Sequence, residues 1–344
     1  MCDIPLRREA CGQLFDTALA PHPGLFLSRG IKQWPGDATQ KGEAFQAHVA
    51  KAAGLAAPKI YQSAYDRWCR LVAANPTIAA WAGKLQGRMF IGLGGPSVIE
   101  TGISLSRTYG VPLIPGSAQK GLTRAYAKAV GLDRNRTMEI LFGRQGLAPD
   151  EMESGYVIFH DAWWIPGSAP TPLSPEIVTV HHHDYYKDGG ASDATDFDSP
   201  VPNTQVSARG GFLFTVECAD HAWAALARDL LAQALQQWGI GGKTAAGYGR
   251  FSPDDGALNK MRSAREESWP QAVIKHIPNK GEIEVSFENQ KAVPIKMTKT
   301  DFEKKWPGLL KKISKKTTYV QATVKQDGNR IDLVSIDGKR LDSL

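Results

Sequence analysis

The chain has 344 residues, 42% of them hydrophobic and 22% charged, with a formal net charge of +6. That balance excludes a disordered or low-complexity chain, and the length calls for more than one folded unit. No run approaches the eighteen or so apolar residues of a membrane-spanning helix, and Arg7, Arg8, Glu9 and Asp16 stand where a signal peptide would be apolar, so a cytoplasmic protein is expected. Cys2, Cys11, Cys69 and Cys218 show no CxxC spacing, which argues against a zinc knuckle or a disulfide framework. The charge is uneven. Residues 260–344 hold 18 Lys/Arg against 11 Asp/Glu, leaving 23 against 24 for residues 1–259. Such a basic region suits a polyanion such as nucleic acid, although a solvated lysine-rich face has the same composition.

Residues 1–40, rich in Pro, Gly and isolated charges, read as a loop-rich arm. From Glu43 to Leu85 the chain is Ala-rich, and Ile60, Ala64, Trp68, Leu71 and Val72 recur at helical spacing, which predicts amphipathic helices. GRMFIGLG (87–94) reads as a strand running into a glycine turn. After Pro115 and Gly116, a helix is predicted with Ser117 as N-cap and Ala118, Leu122, Ala125, Tyr126 and Ala129 on its apolar side. GYVIFHDAWWI (155–165) and GGFLFTVEC (210–218) read as strands, separated by a long polar insertion, 166–209. A helix over 221–238 follows, with Trp223, Leu226, Leu230, Ala234 and Trp238 inward, and GYGRF (247–251) is a fourth strand. The order is βαββαβ, a ferredoxin-like α+β unit over 86–265, preceded by an arm and helices over 1–85. Short alternating runs at 272–277, 281–287, 318–325 and 330–336 predict a small, basic β-rich domain over 266–344, with the lysine-rich DFEKKWPGLLKKISKK between its strands.

The glycine-rich GIGGKTAAGYGRF (239–251) ends one of these helices. Gly242, Lys243 and Thr244 spell the end of a P-loop, but Gln237 stands at the required first glycine, and the segment joins helix to strand where a P-loop joins strand to helix. Gly239, Gly241, Gly242, Gly247 and Gly249 fit either a tight reversal or a backbone cradle for phosphate, with Lys243, Thr244 and Arg250 beside it. Lys120, Arg124 and Lys128 fall at helical spacing and form a basic stripe placed opposite the apolar side, behind a helix N-terminus that favours anions. Ser117 and Lys120 spell S-x-x-K, too short a match to mean nucleophilic catalysis without partner motifs. His181, His182 and His183 with Asp184, Tyr185, Tyr186 and Asp188 carry metal-ligand chemistry without metal-ligand spacing; stacking on unpaired bases fits His182, Tyr185 and Tyr186 at least as well. His160 and Asp161, mid-strand between aromatics, are expected as buried, hydrogen-bonded structure and not an acid/base pair, and Phe212 and Phe214 as core in place of an RNA-stacking platform. Lys304, Lys305, Lys311, Lys312, Lys315 and Lys316 could engage phosphates. No cofactor, metal or small-molecule substrate is expected.

Three segments together resemble the RAMP superfamily of CRISPR proteins: the strand with its glycine turn, IPGSAQKGLTR, and the terminal GIGGKTAAGYGRF. GLGGPSVIETGISLSRTYGVPLIPGS, and VHHHDYYKDG followed by DFDSPVPNTQV, resemble in particular the type III-B (Cmr) effector complexes. The resemblance implies a cytoplasmic, antiviral, RNA-guided assembly in which this chain binds guide CRISPR RNA near its 3′ end, supports target RNA binding, and contacts other RAMP subunits. It also implies no catalysis, because the aspartate of cleaving relatives would fall near Ser104 and none occurs between residues 92 and 120, where Glu100 is the only carboxylate. Other readings stay open: an endoribonuclease that processes CRISPR precursor RNA with a histidine, or a protein–protein scaffold. The residues themselves, read as motifs, give as expected RNA contacts Ser117, Lys120, Arg124, Lys128, Gly239, Gly241, Gly242, Lys243, Thr244, Arg250, His182, Tyr185, Tyr186, Lys311 and Lys312; the resemblance says little about the C-terminal basic domain that holds the last two.

Overall fold

The computed structural model describes residues 2–3, 22–31, 33–34, 36, 38–95, 97, 102–132, 136–144, 153–263, 266–315, 317–327 and 330–341. Most of the expected N-terminal arm, with Arg7, Arg8, Glu9, Cys11 and Asp16, lies outside them, as do Glu100 and Lys316. The chain divides into two compact units, one of residues 1–68 and 76–258, the other of residues 69–75 and 259–344. No helix among the described residues is long and apolar enough to cross a membrane.

The first unit begins with helices α1 (Pro23–Arg29), α2 (Ala38–Ala53) and α3 (Lys59–Ala74, whose last turn belongs to the second unit). The inward side of α3 is Tyr61, Ala64, Tyr65, Cys69 and Val72, while Ile60 is 66% and Leu71 52% exposed. The helix is thus turned by about one residue from the face its aliphatic spacing predicts. Tyr61 sets the rotation: its ring stacks on Trp163 at 5.9 Å and its hydroxyl donates to Trp164 O at 2.7 Å. A large amphipathic ring with a satisfied hydroxyl outweighs two exposed aliphatics.

Strand β1 is Ile78–Leu85, in the stretch whose alanines predict a helix. Helix propensity is a weak prior, and here two antiparallel partners override it. The sheet continues with β2 (Leu113–Ile114), helix α4 (Gly116–Ala129), α5 (Thr137–Phe142), β3 (Ile158–Phe159) and β4 (Ala162–Trp164). Next come β5 (Leu173–Val180), the short helix α6 (His183–Lys187), β6 (Val201–Ala208), β7 (Gly211–Glu217), α7 (His221–Gln237) and β8 (Phe251–Pro253). The spatial order is β8-β1-β7-β4-β2, with β3 also on β7, and every pairing is antiparallel. The predicted first strand, 87–94, contributes only isolated bridges, Met89 to Ala208 and Phe90 to Gly242. The predicted strand 155–165 is broken at His160–Asp161, and the fourth strand is confined to Phe251–Pro253.

Residues Gly211–Val216 of β7 are all buried, so both faces of the sheet are covered there. Phe212, Phe214 and Phe251 are fully buried and meet edge-on, with centroids 5.2 Å apart for Phe214–Phe251 and 6.0 Å for Phe212–Phe251. Phe212 and Phe214 are core, as expected, and Phe251 joins them, each ring worth about 1.5–3 kcal/mol of burial. The predicted faces of α4 and α7 are both shifted. In α4, Gln119, Thr123, Tyr126 and Ala127 are inward and Ala125 and Ala129 exposed. In α7, Ala224, Ala227, Leu230, Leu231, Ala234 and Leu235 are inward, with Leu226 36% and Trp238 40% exposed.

The polar insertion is not a loop. β5 and β6 form a two-stranded hairpin with continuous register from Leu173↔Ala208 to Val180↔Val201. Its base is buried: Leu173 and Val206 join Phe26, Phe45, Val49 and Ala52 of α1 and α2 in a core cluster of their own.

Helix α8 (Asp255–Ser263) begins in the first unit and ends in the second, which continues with β9 (Glu266–Ile277) and β10 (Glu282–Phe287), then α9 (Lys299–Lys305), α10 (Leu309–Lys315), β11 (Thr318–Asp327) and β12 (Arg330–Ile336). The strands form an antiparallel sheet in the order β10-β9-β11-β12, extended at its edges by two-residue segments. Its core holds Trp269, Ile274, Val285, Phe302, Trp306, Val320 and Ile336.

Candidate nucleic-acid interface

The glycine-rich loop takes its shape from close backbone packing. After α7, Gly239 turns left-handed at φ 78°, and the chain then folds onto the segment following β1: Gly242 N donates to Phe90 O at 2.8 Å, and Gly249 N to Arg88 O at 2.9 Å. Ile240 N closes the loop on Gly249 O at 2.9 Å. A Cβ at Gly241 would stand 2.0 Å from Phe90 O and one at Gly249 2.0 Å from Ile240 O, so only glycine fits at these two positions. The amides of Ile240, Gly242 and Gly249 are therefore engaged within the protein and not displayed to a ligand. What the loop presents outward is Lys243, exposed and left-handed at φ 59°, heading a 3-10 turn over Thr244–Ala246. A lysine in this backbone region is uncommon, and such residues often mark functional sites.

Across from Lys243 stands the hairpin. Val178, Thr179, Val180 and Asn203 of its strands, His181, His182 and His183 beyond them, and Tyr186 and Lys187 of α6 line a groove of about 870 Å³ together with Lys243. Among the described residues, no carboxylate lines it. The hairpin and the loop segment are tied below the groove: Arg88 pairs with Glu176 at 2.6 Å and donates to Pro175 O at 2.9 Å. Tyr248 packs on Phe90 at 4.7 Å, and its hydroxyl is pushed up in pKa by burial and by the neighbouring Glu176 charge.

His182 is committed to the hairpin's tip: its Nδ1 meets Asp198 Oδ2 at 2.8 Å. Asp198 also accepts from Thr195 N and Oγ1, while Asp188 accepts from the Ser192 hydroxyl and from the amides of Gly190, Ala191 and Ser192. These bonds hold the Asp188 and Asp198 carboxyls below the usual carboxylate range. Tyr185 and Tyr186 are exposed and edge-on at 5.4 Å, and Phe197 is 96% exposed. The tip beyond the groove is acidic, with Asp184, Asp188, Asp193, Asp196 and Asp198 against Lys187, so phosphate is favoured at the groove and disfavoured at the tip. Among the described residues, no group of three His, Cys, Asp or Glu side chains could hold a metal ion.

The α4 stripe lies elsewhere. Lys120 and Arg124 are half-buried and Lys128 exposed, next to the inward row Gln119, Thr123 and Ala127 and not opposite it. Pro115, not Ser117, is the N-cap; Ser117 is exposed one residue inside the helix and makes no cap. Gly116 N donates to Asp161 Oδ1 at 2.7 Å. The helix start thus carries its own carboxylate, which occupies the amide and opposes a second anion. His160 pairs with Glu217 at 2.8 Å and meets Trp68 edge-on, the hydrogen-bonded structure expected, but it is only half-buried and Asp161 is exposed, against the burial expected of both. Arg250 is exposed and lends its carbonyl to Gln86 N. Lys311 and Lys312 are exposed on α10 of the second unit. Of the sequence-selected residues, the structure brings Lys243, His182 and Tyr186 to one groove; Ser117, Lys120, Arg124 and Lys128 do not line it. Lys187 and Asn203 were missed. The β-branched runs at 176–180 and 201–206 were the available sign of a hairpin that would place them there.

Residues 84–252, from the end of β1 to β8, match the family model for the RAMP superfamily, just under half of the chain. The chain is similar to the sixth Cmr subunit: it is 32% identical over 223 residues to the CRISPR system Cmr subunit Cmr6 of Pyrococcus furiosus, covering 49% of this chain and 66% of that relative. The match thus spans a little under two thirds of the relative's length. A cryo-EM structure of the type III-B Cmr-beta complex bound to cognate target RNA matches with 18% identity over 70% of this chain and 90% of that one, TM-score 0.49. The crystal structure of Cmr6 from Pyrococcus furiosus matches with 27% identity over 52% of this chain and 98% of that one, TM-score 0.32. β9 to β12 lie outside the family match.

Proposed function

We propose that this chain is a non-catalytic, RNA-binding subunit of a type III-B Cmr effector complex, lying near the 3′ end of the guide RNA and supporting target RNA binding beside other RAMP subunits in the cytoplasm. The strand order β8-β1-β7-β4, with α4 and α7 as its crossover helices, is read as the ferredoxin-like βαββαβ unit. The observation that carries the proposal is the groove between Lys243 and the hairpin. It combines two ammonium groups, imidazoles, a tyrosine ring and an amide, with no carboxylate among the described residues, the chemistry of phosphate contact and base stacking. Base pairing then specifies sequence, and the protein need recognise only backbone and shape. Ser104, where cleaving relatives have aspartate, supplies no acid or metal ligand, which supports holding over cutting.

Reconstitution of the complex with labelled guide RNA tests the reading. Lys243→Ala with Lys187→Ala is expected to weaken RNA retention and to lower the salt dependence by roughly 0.7 per lost phosphate contact. Retention and slope equal to the unmodified chain would remove the groove from the interface. Incubation of the purified chain with labelled repeat RNA is expected to leave the RNA intact; specific cleavage lost on substitution of His181, His182 and His183 would instead make the chain a processing endoribonuclease.

A further inference from the structure

The second unit, outside the family match, has a cleft of its own. Its floor is Ile274 of β9, its walls are Leu310 and Ile313 of α10, and around it stand Lys275, Lys299 and Lys311, in a volume of about 600 Å³. All three lysines are exposed, and none has a carboxylate partner among the described residues. Other lysines of the unit are engaged: Lys291 pairs with Glu284 at 3.2 Å, Lys339 donates to Lys305 O at 2.7 Å, and Lys305 lies over the Trp306 ring. Among the described residues, no Asp or Glu lines the cleft. His276 also lines the cleft, with its Nε2 buried and without a hydrogen-bond partner among the described residues.

From this arrangement we infer that the second unit is a separate binding site for single-stranded RNA, with phosphates on Lys275, Lys299 and Lys311 and bases against Ile274, Leu310 and Ile313. Cations alternating with apolar wall suit a chain whose anionic backbone and flat apolar bases alternate at short intervals. An acidic peptide offers charge without that apolar face. A duplex hides its bases in the stack and would leave the apolar wall unfilled. The inference does not depend on the Lys243 groove.

The test uses the full chain and a short fluorescent uridine oligonucleotide, read by anisotropy between about 50 and 200 mM salt. Combined Lys275→Glu, Lys299→Glu and Lys311→Glu is expected to weaken binding at least about tenfold and to lower the salt slope by about 2, at roughly 0.7 per phosphate. A control with the same change in charge at exposed positions outside the cleft, Lys280→Glu, Lys296→Glu and Lys304→Glu, is expected to weaken binding less. Equal losses in the two variants, or no loss in the first, would overturn the inference, and thermal melting of both identifies a loss that comes from misfolding. For a cleft variant that fails to fold, crosslinking of the unmodified chain to 4-thiouridine RNA decides: adducts are expected within 274–278 or 310–317, and their absence overturns the site. Displacement by poly-glutamate as effective as by unlabelled RNA would reduce the cleft to a general polyanion surface. Lys243→Ala in parallel separates the two sites, because failure of the groove leaves the effect of the cleft variant unchanged.

Discussion

His48 is a buried imidazole on α2, stacked on Phe26 at 4.9 Å with Nε2 3.0 Å from Leu27 O. Burial holds its pKa below the ordinary 6.5, which favours the neutral ring in the folded chain. A depressed folded value means stability is full above the unfolded pKa and is lost as pH falls from about 6.5 through the folded value. The melting temperature is therefore expected to drop between about pH 7.5 and 5.5, and His48→Gln to flatten that drop; an identical pH profile in the variant would show the loss arises elsewhere. The glycine loop gives a second residue-scale contrast. Gly241→Ala and Gly249→Ala place a methyl against a carbonyl oxygen at a left-handed backbone and are each expected to cost about 2 kcal/mol or more. Gly247→Ala, at φ 91° with open space around the Cβ, is expected to cost about 1 kcal/mol. Denaturant melts of the three variants check the order, and equal losses would mean that close packing is not what the first two glycines serve.

At the scale of elements, the hairpin tip is held by carboxylates. Asp198 joins His182 to Thr195, and its carboxyl is kept below the usual range first by the His182 bond and then by the Thr195 amide. Such a group supports the fold above its unfolded pKa of about 3.8 and loses that support as pH falls through its folded value. Asp198→Asn is expected to speed hydrogen exchange over 183–199 while the sheet stays protected, and strong acid to do the same to the unmodified chain; unchanged exchange in the variant would count against the pin. The same scale shows what the sequence made legible. Both long crossover helices, β7 and the strands of the basic unit fall close to where their periodicity puts them. The misread faces have a physical cause. In α4, Gln119 is buried because its Nε2 donates to Ile114 O and His160 O, and Thr123 because its hydroxyl donates to Gln119 O, so two polar residues take positions that periodicity gives to alanines. The break at His160–Asp161 follows from Asp161 turning to Gly116 N, a contact across 45 residues that no local pattern carries. In the candidate interface, Lys243 and the histidines were visible as residue types. Their meeting at one groove depended on a hairpin hidden inside a polar insertion.

At the scale of the whole chain, the two units have separate cores. One is gathered around Phe212, Phe214 and Phe251, the other around Trp269, Phe302 and Trp306. A core mutation is felt through the contacts and cavity it leaves, so each should act on its own unit. Phe212→Ala and Trp269→Ala are each expected to cost about 3–5 kcal/mol, and calorimetry should resolve two transitions, of which each variant lowers a different one. Trp269 allows a finer test, because its Nε1 is buried with no hydrogen-bond partner among the described residues. Trp269→Phe keeps most of the ring and removes an unpaired donor whose burial itself costs about 1–3 kcal/mol. It is therefore expected to cost far less than Trp269→Ala and to leave the transition that Phe212→Ala lowers where it was. If instead Trp269→Ala moved both transitions by the same amount, the units would melt as one cooperative body, and the basic unit would have to be treated as an extension of the RAMP core and not as a second fold carried on the same chain.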